Sequence, residues 1–449
     1  MIIILLVRTS TNSVIEGEVL ERKGIEKKTK RGKANTLLSQ IYITGSNWSE
    51  AKLQGLCTGE GTENNPYLIA NHEIDATNSS TGSGILIENS AASFVIQNCH
   101  VYNANTSWAD AGIKIVDASN GVILNNTCSF NNRFGICVQN GENILITRNS
   151  IYNNSQNGIF VERTDGIIIF QNDIYKNDAN KTYDIGARGT GVNILSCNFG
   201  IVIENNIQRN YRGVHFAQTN YSYILNNTIH NHLYIGILSD HSHDNTILEN
   251  NLAQNEGTGI ITSGAGYNIT DNQLRELGER GILVSDGNGS VVVGNTIEDT
   301  QEEGILAMNC TYAEIRENNV ITSETKGVSL TGCTNSTITN NQITSCKETG
   351  MFLYNSTENE ISQNVIKRNG GYGIHLSSSD NNTITENKLM FNNEGCINEE
   401  NCQGNNFQGN ICSDLVVRYS IIGGVGLVLL IGVPITIILL KKRATKGSK

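Results

Sequence analysis

A glycine followed by an aliphatic residue recurs down most of this chain, at Gly84, Gly112, Gly135, Gly158, Gly191, Gly213, Gly236, Gly259, Gly281, Gly304, Gly327, Gly350 and Gly373. Successive copies lie 22 or 23 residues apart, except for gaps of 28 after Gly84 and 33 after Gly158. A second landmark, aliphatic-x-x-Asn-x-aliphatic, keeps the same beat at Asn126, Asn149, Asn172, Asn205, Asn227, Asn250, Asn272, Asn295, Asn318, Asn341, Asn364, Asn387 and Asn410. Cys128 and Cys412 replace its last aliphatic in the first and final copies. A fixed period near 23 with alternating aliphatics and no amphipathic helical run describes a solenoid of short stacked strands. Leucine-rich repeats share the period but need L-x-x-L-x-L before the Asn. Ser242 and Asn245 stand there ahead of Asn250, so that alternative fails.

Stacked parallel strands put each residue about 4.8 Å from its counterpart in the next coil. At that separation an inward Asn amide bonds to the coils above and below, so the Asn column is read as a structural ladder. Cys99 occupies the same position one coil earlier and is expected to end the ladder. The repeated Gly is read as a corner residue with positive φ. Parallel crossovers are right-handed. The predicted fold class is therefore all-β: a right-handed parallel β-helix of about 14 coils, roughly 67 Å of stacked strands.

Composition agrees. Hydrophobic residues make up 38% of 449 residues and charged ones only 17%, with 45 Gly and 2 Pro, so the chain can bury a core and favours strands and turns. A net charge of -11 argues against nucleic acid as a partner, because phosphate backbones are held by clustered Lys and Arg.

Residues 420–440 are uncharged and mostly aliphatic, long enough as a helix to cross a bilayer, and Lys441, Lys442 and Arg443 follow. The membrane is thus the expected partner through one C-terminal span, with residues 441–449 a basic cytoplasmic tail and the solenoid extracellular or periplasmic. Residues 1–40 read as a lead-in whose apolar start, Met1 to Val7, is shorter than a complete signal-peptide core. Residues 41–83 read as an N-terminal cap, 84–412 as the repeats and 413–419 as a juxtamembrane linker. Sequons such as Asn47, Asn105, Asn180 and Asn355 agree with a surface location.

With these repeats, and with the entering segment Cys57-Thr-Gly-Glu-Gly-Thr-Glu-Asn-Asn-Pro-Tyr-Leu-Ile69, the chain resembles the pectin-lyase superfold across residues 41–412. Within it, the resemblance is to the NosD-type, carbohydrate-binding or sugar-hydrolysis β-helix repeat proteins of prokaryotic cell surfaces. It implies the fold. Activity has to be read from the residues, because the repeat describes a scaffold.

Eleven Cys in an exported chain permit disulfides. Cys310 and Cys333 each lie six residues after their coil's Gly and should touch, either bonded or as stacked thiols. Cys396, Cys402 and Cys412 are expected to fasten the last coil.

The second residue after each Gly should point outward. That column reads Leu86, Lys114, Cys137, Phe160, Asn193, His215, Leu238, Ile261, Leu283, Leu306, Ser329, Phe352 and His375. Its middle is polar, and the two long insertions, 103–111 with Trp108 and Asp110 and 177–190 with Asp184 and Arg188, lie in or just before that part. The catalytic candidates are Lys114, Glu162, Arg188, Asn193, His215 and Asp240, with Asp117, Arg163 and His241 nearby. The resembled lyases use an Arg or Lys base with calcium or another cation, and glycosidases use two carboxylates. No compact carboxylate pair is visible here, and no cofactor is predicted. Copper, which NosD-type proteins bring to mind, would find only His241 and His243, and calcium would find no carboxylate cluster. Leu238, Ile261, Leu283, Leu306 and Phe352 form an apolar stripe, read as a face for lateral association with another copy or a neighbouring protein. The leading expectation is a non-catalytic surface scaffold that binds glycans or protein partners. The alternatives are a polysaccharide lyase, epimerase or glycoside hydrolase and, after it, a copper-associated protein.

Overall fold

A computed structural model describes residues 37–178 and 189–413. The expected membrane span, linker and tail, most of the N-terminal lead-in, and Asp184 and Arg188 of the second insertion lie outside these residues. Among the described residues no helix is long and apolar enough to cross a membrane.

The described chain is a right-handed parallel β-solenoid of about 15 coils. Each coil contributes one strand to each of three sheets, as in Phe134–Gln139, Leu145–Thr147 and Ser150–Tyr152. Within each of the chain's two compact units, strands pair with their counterparts one coil on, as Ile136 with Ile159, Ile146 with Ile169 and Ile151 with Ile174. The expected cap, 41–83, is itself a coil. Its strands Ile41–Thr44, Tyr67–Ala70 and Glu73–Asp75 pair with the next coil's, and the helix Trp48–Leu53 is inserted between the first two. That coil and the final one, which begins with the strand Gly395–Glu400, bring the thirteen coils of the Gly column to 15.

The chain divides into two compact units, Met1–Tyr267 and Asn268–Lys449. In the first unit, three inward columns of Ile, Val and Leu, such as Ile113, Ile136, Ile159, Val192, Val214 and Ile237 on the first sheet, are fully buried. Each such side chain contributes about 1.5–3 kcal/mol of burial. The columns continue in the same style in the second unit, for example Ile305, Val328, Met351 and Ile374.

The Asn ladder forms as expected, and its mechanism is visible. Asn126 N–H and Nδ2 both donate to Asn149 Oδ1, and Nδ2 also donates to Ile96 O. Asn149, Asn172, Asn205 and Asn227 repeat the pattern upward in the first unit. In the second unit the chain of bonds runs from Asn272 through Asn295, Asn318, Asn341 and Asn364 to Asn387 and Asn410. Cys99 ends the ladder by donating its N–H to Asn126 Oδ1. The residue before each ladder Asn takes the left-handed conformation, as Asn125, Arg148, Gln171 and Glu204 do, and this makes the bend.

The Gly column has a different cause from the one expected. None of its members has positive φ. A Cβ on Gly213 would stand 2.4 Å from Gly236 O and 2.6 Å from Ile229 Cγ2, and a Cβ on Gly135 would stand 2.7 Å from Gly158 O. The glycine is required because consecutive backbones and the third sheet's aliphatics leave no volume there.

A second ladder lies five residues after the first. Asn131, Asn154, Asn177 and Asn210 bond in sequence, and His232 and Asn255 continue it. His232 is fully buried, with Nδ1 accepting Asn210 N–H at 3.2 Å and Nε2 donating to Ile207 O at 3.1 Å. Burial lowers its pKa to about 4, so the imidazole is neutral.

Cys310 and Cys333 touch as buried free thiols; the Cys333 contact and burial push the Cys310 thiol up. A disulfide joins Cys396 to Cys412 with Cα atoms 5.9 Å apart, whereas Cys402 stays free.

Candidate functional site

The first sheet's outer face in the first unit carries the polar candidates. Two outward columns run along it. Lys114, Cys137, Phe160, Asn193, His215 and Leu238 are in register in one. Val116, Gln139, Glu162, Leu195, Ala217 and Asp240 are in register in the other.

The insertion 103–111 folds over the lower part of this face. Ala109, Ala111, Phe134, Cys137 and Phe160 pack into one apolar cluster, with Leu195 against it. Phe134 stacks on Phe160 at 4.9 Å, and Trp108 meets Phe160 edge-on at 6.2 Å. Cys137 points outward but is fully buried beneath this cluster, and burial pushes its thiol up to about 12. Lys114 stands apart from His215, four strand spacings or about 19 Å along the stack.

His215 and Asp240 do converge. The Nε2–H of His215 donates to Asp240 Oδ1 at 2.8 Å, and His241 Nδ1 lies 3.6 Å from Asp240 Oδ2. The His215 hydrogen bond holds the Asp240 carboxyl below the usual carboxylate range, against the opposing effect of burial. Beneath them the coil interior is polar. Ser239 and Thr262 stand where other coils place aliphatics, and the buried Tyr267 hydroxyl lies 2.9 Å from Ser239 Oγ. Burial pushes this phenol up to about 12. Nothing in the repeat period signalled Tyr267. The signal was the break itself, Ser and Thr at two consecutive inward positions.

Glu162 and Asp240 are three coils apart in one column, about 14 Å. A retaining glycosidase needs its carboxyls about 5.5 Å apart and an inverting one up to about 9.5 Å. Glu162 instead accepts from Gln139 at 2.7 Å and pairs with Arg163 at 3.1 Å. Asp117 accepts from Asn140, also away from His215.

The metal candidates do not converge. His241 is four-fifths exposed beside Asp240, while His243 pairs with Asp244 at 2.9 Å and meets Tyr221 edge-on. Among the described residues no group of three His, Cys, Asp or Glu could hold a metal ion. As for the expected stripe, Leu306 is buried at 8% exposure, and Leu238, Ile261, Leu283 and Phe352 are half-buried.

Two concavities are shaped otherwise. One of about 480 Å³ in the first unit is lined by Pro66, Phe94, Val95, Val122, Ile144 and Leu145, with little chemistry. The other, about 390 Å³ in the second unit, gathers Lys326, Glu348, Phe352 and His375. The edge where the chain enters the first sheet carries stacked aromatics: Tyr211 and Tyr234, 5.5 Å apart, hold the Arg212 guanidinium against their faces.

The profile of the periplasmic copper-binding protein (NosD) family matches residues 178–317 and 256–424, and that of the right handed beta helix region matches residues 32–183. The chain belongs to the NosD family. This NosD-family chain is also similar in fold to solved structures. One is a double mutant of the periplasmic alginate epimerase AlgG, 12% identical over 90% of this chain and 99% of that one, with a TM-score of 0.44. Another is DFA-IIIase from Arthrobacter chlorophenolicus A6 in complex with GF2, 14% identical over 65% and 79%, with a TM-score of 0.41. No curated protein matches the chain.

Proposed function

We propose that this NosD-family protein is an exported, envelope-associated β-helix that binds glycans without cleaving them. The carrying observations are Asn193, His215 and Asp240 on the outer face of the first sheet and the stacked Tyr211 and Tyr234 at the edge where the chain enters it. Hydroxyl-rich ligands are read by fixed polar groups, and the apolar C–H faces of sugar rings stack on aromatic rings. The separation of Glu162 from Asp240 speaks against two-carboxylate hydrolysis. In this reading residues 420–440 anchor the chain and the coils face outside the cytoplasm. The test is a glycan array combined with a polymer-cleavage assay on the purified protein. Binding without new chain ends supports the proposal, whereas no glycan bound above background refutes it.

One observation favours a second reading. An imidazole oriented by a carboxylate at 2.8 Å has the parts of a general base for a lyase or epimerase. Cleavage or epimerisation abolished by His215→Ala would select it over binding alone.

A further inference from the structure

We propose that the edge where the chain enters the first sheet, in the unit ending at Tyr267, is an anion-selective subsite. There Arg133 and Arg212 bind the carboxylate or sulfate groups of an acidic polysaccharide. The inference rests on the glycan reading and specifies its ligand class.

Both arginines are mounted on aromatic rings. The Arg133 guanidinium lies 4.8 Å from the Trp108 ring centre and 5.2 Å from that of Phe134. Arg212 lies 5.3 Å from Tyr211 and 5.9 Å from Tyr234. Such contacts hold a cation in place without neutralising it. Among the described residues neither arginine meets a carboxylate. Arg133 Nη1 donates only to Thr106 O, at 3.3 Å, and the Nε of each is buried without a hydrogen-bond partner.

The second unit shows how the same edge looks when its cations are satisfied internally. Arg280, which like Arg212 immediately precedes its coil's Gly, pairs with Glu302 and with Glu303 at 2.9 Å. Lys326, in the same position, pairs with Glu348 at 3.0 Å. The first unit puts Tyr234 and Trp108 next to its arginines instead, in a chain that is otherwise acidic, with a net charge of -11.

A guanidinium resting over a ring, with its Nε buried, presents its terminal Nη groups as donors, and these match the planar carboxylate of a uronic acid or two oxygens of a sulfate ester. Trp108, 64% exposed, offers ring surface to the sugar's C–H face. Arg133 and Arg212 lie three coils apart, about 14 Å along the stack. One sugar cannot reach both, so the ligand is a chain laid along the coils.

The test uses the purified full-length protein and surface-immobilised polygalacturonate, dextran sulfate and uncharged dextran, at about 50 and 500 mM NaCl. The expected result is capture of at least one acidic polymer, with the carboxylated and sulfated arms identifying which anion is preferred, and weakening at the higher salt. Arg212→Gln and Arg133→Gln should each weaken capture about tenfold, Arg212→Lys less, with the thermal unfolding midpoint unchanged. A hexauronate should compete at least about tenfold better than the monosaccharide if two subsites act together. Folded variants that bind acidic polymer as wild type does would overturn the proposal, as would equal capture of uncharged dextran. Binding of neutral glycans alone overturns it while leaving the glycan reading standing; capture of no glycan overturns both.

Discussion

The imidazole of His215 donates to the carboxylate of Asp240 at 2.8 Å, although the two residues sit on successive coils and belong to different outward columns of one sheet. Register explains the contact. His215 is paired with Leu238, and Asp240 is two residues further along that strand on the same face, within reach of a long side chain.

This pair sets the protonation of Asp240. Its lowered pKa means that the ionised form is favoured by folding, so the stabilisation is present above the ordinary carboxylate pKa and is lost as pH falls through the folded value. In His215→Ala the Asp240 carboxyl should titrate closer to the ordinary value. Carbon NMR of the side chain reads this directly, and an unmoved titration would deny the His215 bond its role.

Removing one ladder amide should cost more than a typical surface change. Asn172 accepts from Asn149 N–H and Nδ2 through Oδ1 and donates to Ile146 O and Asn205 Oδ1. Asn172→Ala leaves several buried groups unpaired, for a loss of roughly 3 kcal/mol or more at about 1–3 kcal/mol each. Urea unfolding should show a lower midpoint than for Lys388→Ala, which alters an exposed strand position.

His232 makes the first unit acid-sensitive. Its folded pKa of about 4 lies below the ordinary 6.5, so the unfolded chain binds the extra proton between these values and stability falls as pH drops through that window. The full shift corresponds to roughly 3 kcal/mol. His232→Asn, which restores the ladder's usual residue, should flatten the dependence of the unfolding midpoint between about pH 4 and 6.5.

Two glycine substitutions separate space from backbone angle. Gly213→Ala drives a Cβ into Gly236 O and should cost about 1–3 kcal/mol through overpacking. Gly289 has φ +66 with nothing within 4 Å of its missing Cβ, so Gly289→Ala should cost only about 1 kcal/mol, from the left-handed backbone. Equal effects in a thermal melt would contradict the packing account.

The Cys396–Cys412 disulfide spans 16 residues and closes the last coil. A loop of that length is worth about 3 kcal/mol. The Cys396→Ser, Cys412→Ser double variant should lower the second unit's stability by about that amount and make the strand Ile411–Ser413 exchange its amides faster, as hydrogen exchange would report.

The one-dimensional beat of Gly and Asn was enough to define the solenoid, because parallel strands convert a constant spacing in sequence into a vertical column in space. The ladder, its end at Cys99 and the Cys310–Cys333 contact all follow from that rule. The second ladder obeys it too, five residues on, but His232, Leu277, Thr300, Ser323 and Cys346 interrupt the Asn signal. What the period does not encode is lateral. Whether the 103–111 insertion covers Cys137, whether Lys114 reaches His215, and whether an arginine finds a glutamate or a tyrosine beside it depend on how side chains lean between columns and how loops fold back. Those contacts are decided by packing volume and charge in three dimensions, so the site became legible only once the coils were stacked.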